Sequence, residues 1–233
     1  MVIFKNISVI AAAIIFDFDG VIVDTEPLHY RAFQKILEPR GLGFSWKDYV
    51  DSYMGFDDRD AFKEAFTAGN MPVDKGILTE LIAEKAKVFH QTDGEKITAY
   101  PGVVELIKKL NAAGIPLAIC SGALRSDIIP ILEILGISDC FDCMVTADDV
   151  SRSKPDPECY KIAFDQLRAI RSDTEITKNK TYAIEDTPAG INAALSAGLR
   201  TIAVTNSYPD KFFTNANNIV TSLEYLLEFE KND

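Results

Sequence analysis

The strongest constraint on the fold is a repeating pattern. A short, unbroken apolar run ends on polar or small residues and gives way to a helical pattern. The runs are AAAIIF (11–16), IPLAIC (115–120), TYAIE (181–185) and RTIAV (200–204), with weaker ones at CMVT (143–146) and NIV (218–220). Apolar runs without alternation predict strands covered on both faces. Between them, PGVVELIKKLNAAG places Pro101 in a first turn, aligns Val103, Leu106, Ile107 and Leu110, and stops at Gly114. DPECYKIAFDQL opens with Asp156 as N-cap, and TPAGINAALSAG runs from Thr187 and Pro188 to Gly198. SDIIPILEILG carries Pro130 inside a helical pattern, which predicts a kink or a late start. Strands alternating with helices predict a doubly wound parallel α/β sheet.

Residues 27–93 break that alternation. PLHYRAFQKILEPRG, SWKDYVDSYMG, DDRDAFKEAFTAG and DKGILTELIAEKAKVFHQ all read as helices, started by Pro27, Ser45 and Asp57 and stopped by Gly41, Gly55 and Gly69. Such a block is too large for a crossover connection. It predicts an α/β core at 1–26 and 94–233 with an all-helical domain, 27–93, inserted through hinges near 24–27 and 94–99. The aromatics of this block (Phe33, Phe44, Trp46, Tyr49, Tyr53, Phe62, Phe66) fall at helical spacing and are expected in its core.

At 233 residues and 47% hydrophobic content, the chain suits one domain with a smaller insert. A net charge of −11 argues against nucleic acid and anionic membrane surfaces as partners. It leaves an anionic small molecule open, because a bound metal and nearby cations set the field inside a cleft. Lys5 followed by ISVIAAAIIF has the outline of a signal peptide, but cleavage there would strip the strand from FDFDG. That run is read as a buried strand. No stretch reaches the roughly 18 apolar residues of a membrane span. A cytosolic monomer is expected. Cys140-x-x-Cys143 has no second C-x-x-C, and all four cysteines are expected as reduced thiols.

Open parallel sheets bind ligands at the carboxyl ends of their strands. What stands at those ends is chemically coherent. Asp17, Asp19 and Gly20 follow the first run, Ser121 and Gly122 the second, and Glu185, Asp186 and Thr187 the TYAI run; Lys154 precedes a later helix. Crowded carboxylates raise one another's pKa and need a counter-ion. A hard divalent cation such as Mg2+ takes oxygen ligands and shares them with substrate phosphate. Phosphoryl transfer follows. One carboxylate attacks phosphorus, its neighbour moves a proton, Ser121 and the amides around Gly122 hold phosphate oxygens, and Lys154 supplies fixed charge.

The sequence is similar to the haloacid dehalogenase superfamily, in its branch of small-molecule phosphatases and β-phosphoglucomutase-like enzymes with a helical cap. FDFDGVIVDTE resembles the first motif of that family, ICSGA the second, SKPDP the third and IEDTPAGINAALSAG the fourth, over essentially the whole chain. The resemblance implies Asp17 as nucleophile and Asp19 as general acid/base, with both contributing to a magnesium site completed by Asp186 and Glu185. It implies Ser121, Gly122 and Lys154 as phosphate ligands. Dehalogenases and phosphonatases of the superfamily lack the aspartate at position 19, so C–halogen and C–P cleavage are not expected. His29, Arg59 and Arg125 are candidate substrate contacts. Asp24 is expected to orient and Glu26 to cap the helix from Pro27. The expected activity is magnesium-dependent hydrolysis of a small phosphorylated metabolite, a sugar phosphate; a β-phosphoglucomutase-like mutase is the alternative. A signalling receiver domain shares the acidic cluster but is smaller and has no helical insert.

Overall fold

The computed structural model describes residues 1–7, 9–54, 56–90, 97–171 and 175–231. The chain divides into two units, Met1–Asp24 with Thr98–Asp233, and Thr25–Ile97. The second unit starts at Thr25 rather than at 27, because Thr25 occupies the N-cap position and its carbonyl accepts the first helical amides, those of Leu28 and His29. Residues 91–96, where part of the second hinge is expected, and Gly55, an expected helix stop, lie outside the described residues.

In chain order the elements are β1 (Val2–Phe4), β2 (Val9–Ala11), β3 (Ala13–Phe16), α1 (Glu26–Leu37), α2 (Trp46–Asp48, continued by a π turn Tyr49–Tyr53), α3 (Asp58–Ala68) and α4 (Lys75–His90). They continue with α5 (Val103–Ala112), β4 (Leu117–Cys120), α6 (Arg125–Leu135), β5 (Cys143–Val145), α7 (Glu158–Arg171), β6 (Thr181–Glu185), α8 (Pro188–Ser196), β7 (Arg200–Val204), β8 (Asn218–Val220) and β9 (Phe229–Lys231). Six strands form one parallel sheet in the order β5-β4-β3-β6-β7-β8. The chain starts in the middle at β3, winds out through β4 and β5, then returns to the other side of β3. This reversal opens a crevice at the carboxyl end of β3.

The unbroken apolar runs now have their cause. Ala13 and Ile15 pack with Ala118, Val145, Tyr160, Phe164 and Ala194 in one core, against α7 and α8. Ile14 and Phe16, which point the other way, are equally buried. Each large apolar side chain so buried contributes roughly 1.5–3 kcal/mol. α8 begins as its sequence implies: Thr187 Oγ1 accepts from the Gly190 amide at 3.0 Å and Pro188 stands in the first turn. Asp156 Oδ1 accepts from the Glu158 amide at 3.0 Å at the start of α7.

Several expectations are corrected. α6 runs through Pro130 from Arg125, so there is no late start. Pro130 and Ser126, whose carbonyl loses its helical donor, are both exposed. Pro101 precedes α5 rather than entering it, because Gly102 takes the N-cap with φ +77°. β1, β2 and β9 form an antiparallel sheet of their own, order β2-β1-β9, that the sequence does not announce. Cys120 and Cys159 are joined as a disulfide, Cα–Cα 5.9 Å, while Cys140 and Cys143 are free. Their proximity comes from α7 lying on β4, which spacing along the chain does not reveal.

Among its described residues the inserted unit contains helices and no strand. Phe33, Ile36, Leu37, Tyr49, Tyr53, Phe62, Phe66 and Leu81 form its core. The Phe33 and Phe62 rings meet edge-on at 5.1 Å, and Phe44 stacks on Tyr53 at 4.2 Å. Trp46 departs from expectation: it is exposed and lies edge-on to Tyr30. No described helix is long and apolar enough to cross a membrane.

Candidate active site

The α/β unit gathers Asp17, Lys154, Glu185 and Asp186. Asp17 follows β3 directly and its amide donates to the Ile184 carbonyl at 3.0 Å. The parallel register Phe16↔Ile184 therefore brings Asp17 beside Glu185. Lys154 reaches across from the loop before α7. Its Nζ donates to Asp17 Oδ1 at 2.9 Å, to Glu185 Oε1 at 2.7 Å and to the Cys120 carbonyl at 2.9 Å. One carboxylate oxygen from each of Asp17, Glu185 and Asp186 lies within 4.8 Å of the others, and all three residues are buried.

Glu185 is held from every side. Its Oε1 also accepts from the Tyr160 hydroxyl at 2.9 Å. Its Oε2 accepts from the amides of Asp186 and Thr187 and from Thr187 Oγ1, at 3.1, 3.2 and 3.0 Å. The first turn of α8 comes so close that a Cβ at position 190 would stand 1.8 Å from Glu185 Oε1, so only glycine fits there. Gly20, at φ +77°, does the same for Asp186: an added Cβ would stand 1.8 Å from its Oδ2.

The charges do not balance within the protein. Were all three carboxylates ionised, the one ammonium would leave two negative charges in a buried space. Burial, with the Glu185 charge next and the Asp19 charge adding to it, pushes Asp17 up to about 8 despite Lys154. Lys154 is raised as well, burial being outweighed by the carboxylates of Asp17 and Glu185. Tyr160 is raised by burial and then by Glu185. A divalent cation with oxygen preference matches both the donor set and the missing charge.

The other expected residues lie as follows. Asp19 is half-buried in the turn after β3, bridged through its backbone to Val23, and its carboxylate is outside the group of three. Ser121 follows β4 and is buried; its Oγ accepts from the Ala123 amide at 3.0 Å, and Gly122 beside it is exposed. Arg125 is engaged elsewhere, its guanidinium donating to Asp149 Oδ2 at 2.7 Å and to the Met144 carbonyl at 3.0 Å. Asp24 is exposed, and its amide donates to the Thr98 carbonyl.

Within the helical unit, Glu26 is buried and accepts from the Tyr49 hydroxyl instead of capping α1. His29 is buried, stacks on Phe89 at 4.6 Å, and its Nδ1 lies 2.6 Å from Lys85 Nζ. Lys85 is fully buried and pairs with Asp58 Oδ1 at 2.5 Å, 4.9 Å above the Phe33 ring. An ammonium has only donors, so Nδ1 of His29 accepts and its ring proton sits on Nε2. Arg59 stands half-buried next to Asp58 at the start of α3.

Sequence reasoning missed Tyr160, Lys85, Asn206 and Ser207. Nothing marks a tyrosine or lysine on a helix as buried against charge. The last two had a signal: TNS follows the RTIAV run, at the same carboxyl edge as the other site residues.

Comparisons with known proteins identify the family. The profile of the haloacid dehalogenase-like hydrolases matches residues 14–204. The chain is 30% identical over 191 residues to the phosphorylated carbohydrates phosphatase of Thermotoga maritima, covering 82% of this chain and 83% of that one. It is 28% identical to hexitol phosphatase A of Escherichia coli, covering 91% of each. Among solved structures, β-phosphoglucomutase from Clostridium difficile superposes with a TM-score of 0.81 at 27% identity, covering 93% of each chain. The chain belongs to the haloacid dehalogenase-like hydrolase family.

Proposed function

We propose that this protein is a magnesium-dependent phosphatase of small phosphorylated carbohydrates, working through an aspartyl phosphate. The observation that carries the reading is the placement of Lys154 Nζ between Asp17 and Glu185, beside Asp186. Asp17, Glu185 and Asp186, with the backbone of Asp19, would hold the ion. When bound, magnesium supplies the positive charge that lets an anionic nucleophile and a phosphate approach each other. Asp17 attacks phosphorus, forming the Asp–O–P bond as the bond to the leaving oxygen breaks. Asp19 gives that oxygen its proton, then takes one from water as water attacks phosphorus and frees Asp17. Lys154 and Ser121, with the amide of Gly122, bind the phosphoryl oxygens.

The carbohydrate class is supported by the names of the related phosphatases from Thermotoga maritima and Escherichia coli. A phosphomutase is the second reading, favoured by the likeness to β-phosphoglucomutase. Against it, Ala123 and Leu124 follow the serine motif, and Arg125, which a second phosphate would need, is paired with Asp149.

The test is phosphate release from a panel of sugar and polyol phosphates, with magnesium or with EDTA, beside Asp17→Asn. Release that needs magnesium and is lost in the variant supports the reading; undiminished release from Asp17→Asn rejects it. Conversion of β-glucose 1-phosphate to glucose 6-phosphate without net release promotes the mutase.

A further inference from the structure

The loop after β7 touches the acidic site twice. Ser207 Oγ donates to Asp186 Oδ2, and Asn206 Nδ2 donates to the Gly20 carbonyl at 2.7 Å. The two contacts interlock. Gly20 has no side chain, and a Cβ there would stand 1.8 Å from Asp186 Oδ2 and 3.0 Å from Ser207 Oγ. Three segments distant in the sequence therefore meet at one point: the turn carrying Asp17 and Asp19, the end of β6 carrying Asp186, and the Asn206–Ser207 loop.

We propose that Asn206 and Ser207 are positioning residues for the acidic site, a strap that fixes the Asp186 carboxylate and the Asp17–Gly20 turn relative to each other. The proposal rests on Asp186 serving the magnesium site. A carboxylate gripped at one oxygen by a hydroxyl cannot swing freely about its Cβ–Cγ bond, so it is oriented before an ion arrives. The hydroxyl donor also stabilises the ionised form without adding charge, leaving the negative potential available to the ion. Asn206 acts on the other partner. By holding the Gly20 carbonyl it keeps the turn in the left-handed conformation that lets Asp186 approach.

The experiment is calorimetric titration of the full chain with magnesium chloride, with melting temperatures taken in EDTA, for the wild type and for Ser207→Ala, Asn206→Ala and Asp186→Asn. Loss of a group that orients a metal ligand weakens affinity by about 10–100-fold. Ser207→Ala is expected to weaken magnesium binding about tenfold, and Asn206→Ala to weaken it in the same direction, with little change of melting temperature in EDTA. Binding by Ser207→Ala within about twofold of wild type, while Asp186→Asn loses affinity, overturns the strap and leaves the magnesium site standing. Unchanged binding by Asp186→Asn removes the magnesium reading itself and the strap with it. Should Ser207→Ala fail to fold, the isosteric pair Ser207→Thr and Ser207→Val decides: tighter binding by the hydroxyl-bearing variant is expected, and equal binding overturns the proposal.

Discussion

Lys154 Nζ lies 2.9 Å from Asp17 Oδ1 and is the only ammonium paired with that carboxylate among the described residues. Both side chains are nearly excluded from water, at 8% and 11% exposure, and the same nitrogen serves the fully buried Glu185. The lysine is therefore the structural counter-ion of both carboxylates, and under the proposed function the cation that would meet a phosphoryl group.

Removing that cation leaves the carboxylates of Asp17 and Glu185 facing each other without a counter-charge. Lys154→Met is expected to lower the stability of the metal-free protein by roughly 3–5 kcal/mol, the usual cost of breaking a buried pair from one side. Urea denaturation in EDTA at neutral pH measures it, and phosphate release should fall to background in the same variant.

Asp17 gives a pH signature. Its carboxyl titrates near 8 in the folded protein against 3.8 unfolded, so between those values the native state keeps a proton that the unfolded chain releases. Asp17 thus destabilises the metal-free fold progressively as pH rises from about 4 to about 8, and no further above that. Asp17→Asn, which cannot ionise, is expected to melt higher than wild type at pH 8 in EDTA, with the gap closing toward pH 4. Melting curves across that range decide; a gap that widens on acidification contradicts the assignment.

Gly190→Ala probes the approach of α8 to Glu185. The new methyl would meet Glu185 Oε1 at 1.8 Å, and the displaced carboxylate would lose Lys154, Tyr160 and the Thr187 contacts. A loss of roughly 1–3 kcal/mol or more is expected, together with a drop in turnover. Chemical denaturation within about 0.5 kcal/mol of wild type would speak against the close approach.

The buried pair in the helical unit makes a two-step prediction. Lys85→Met strands Asp58 and should destabilise by roughly 3 kcal/mol, whereas adding Asp58→Asn removes the stranded charge and should recover much of that loss. Denaturation of the wild type, both single variants and the double variant gives the coupling directly.

The parallel sheet was legible because a strand covered on both faces must be apolar at every position, as Ile14, Ile15 and Phe16 are. The residues at the strand ends were legible because sheet geometry alone carries Asp17, Ser121 and Glu185 to one edge. The small antiparallel sheet was not. Its strands are three residues long, and Val2↔Lys231 joins segments at opposite ends of the sequence that no local pattern connects. Lys85 was hidden for a different reason. A lysine on a helix reads as solvated, and only the meeting of α1, α3 and α4 around it turns His29 and Asp58 into its partners. Glu26 misled in the same way, its carboxylate being taken up by Tyr49 before it could cap a helix.

The central position of β3, with β6 on one side and β4 on the other, has a thermodynamic consequence. Asp17 and Asp186 become neighbours only after strands from opposite halves of the chain have paired, so the unfolded polypeptide offers a divalent ion no comparable cage. Any ion captured by those carboxylates adds its binding free energy to the native state alone, by mass action. A cell's supply of that ion would then shift the fraction of molecules that are folded.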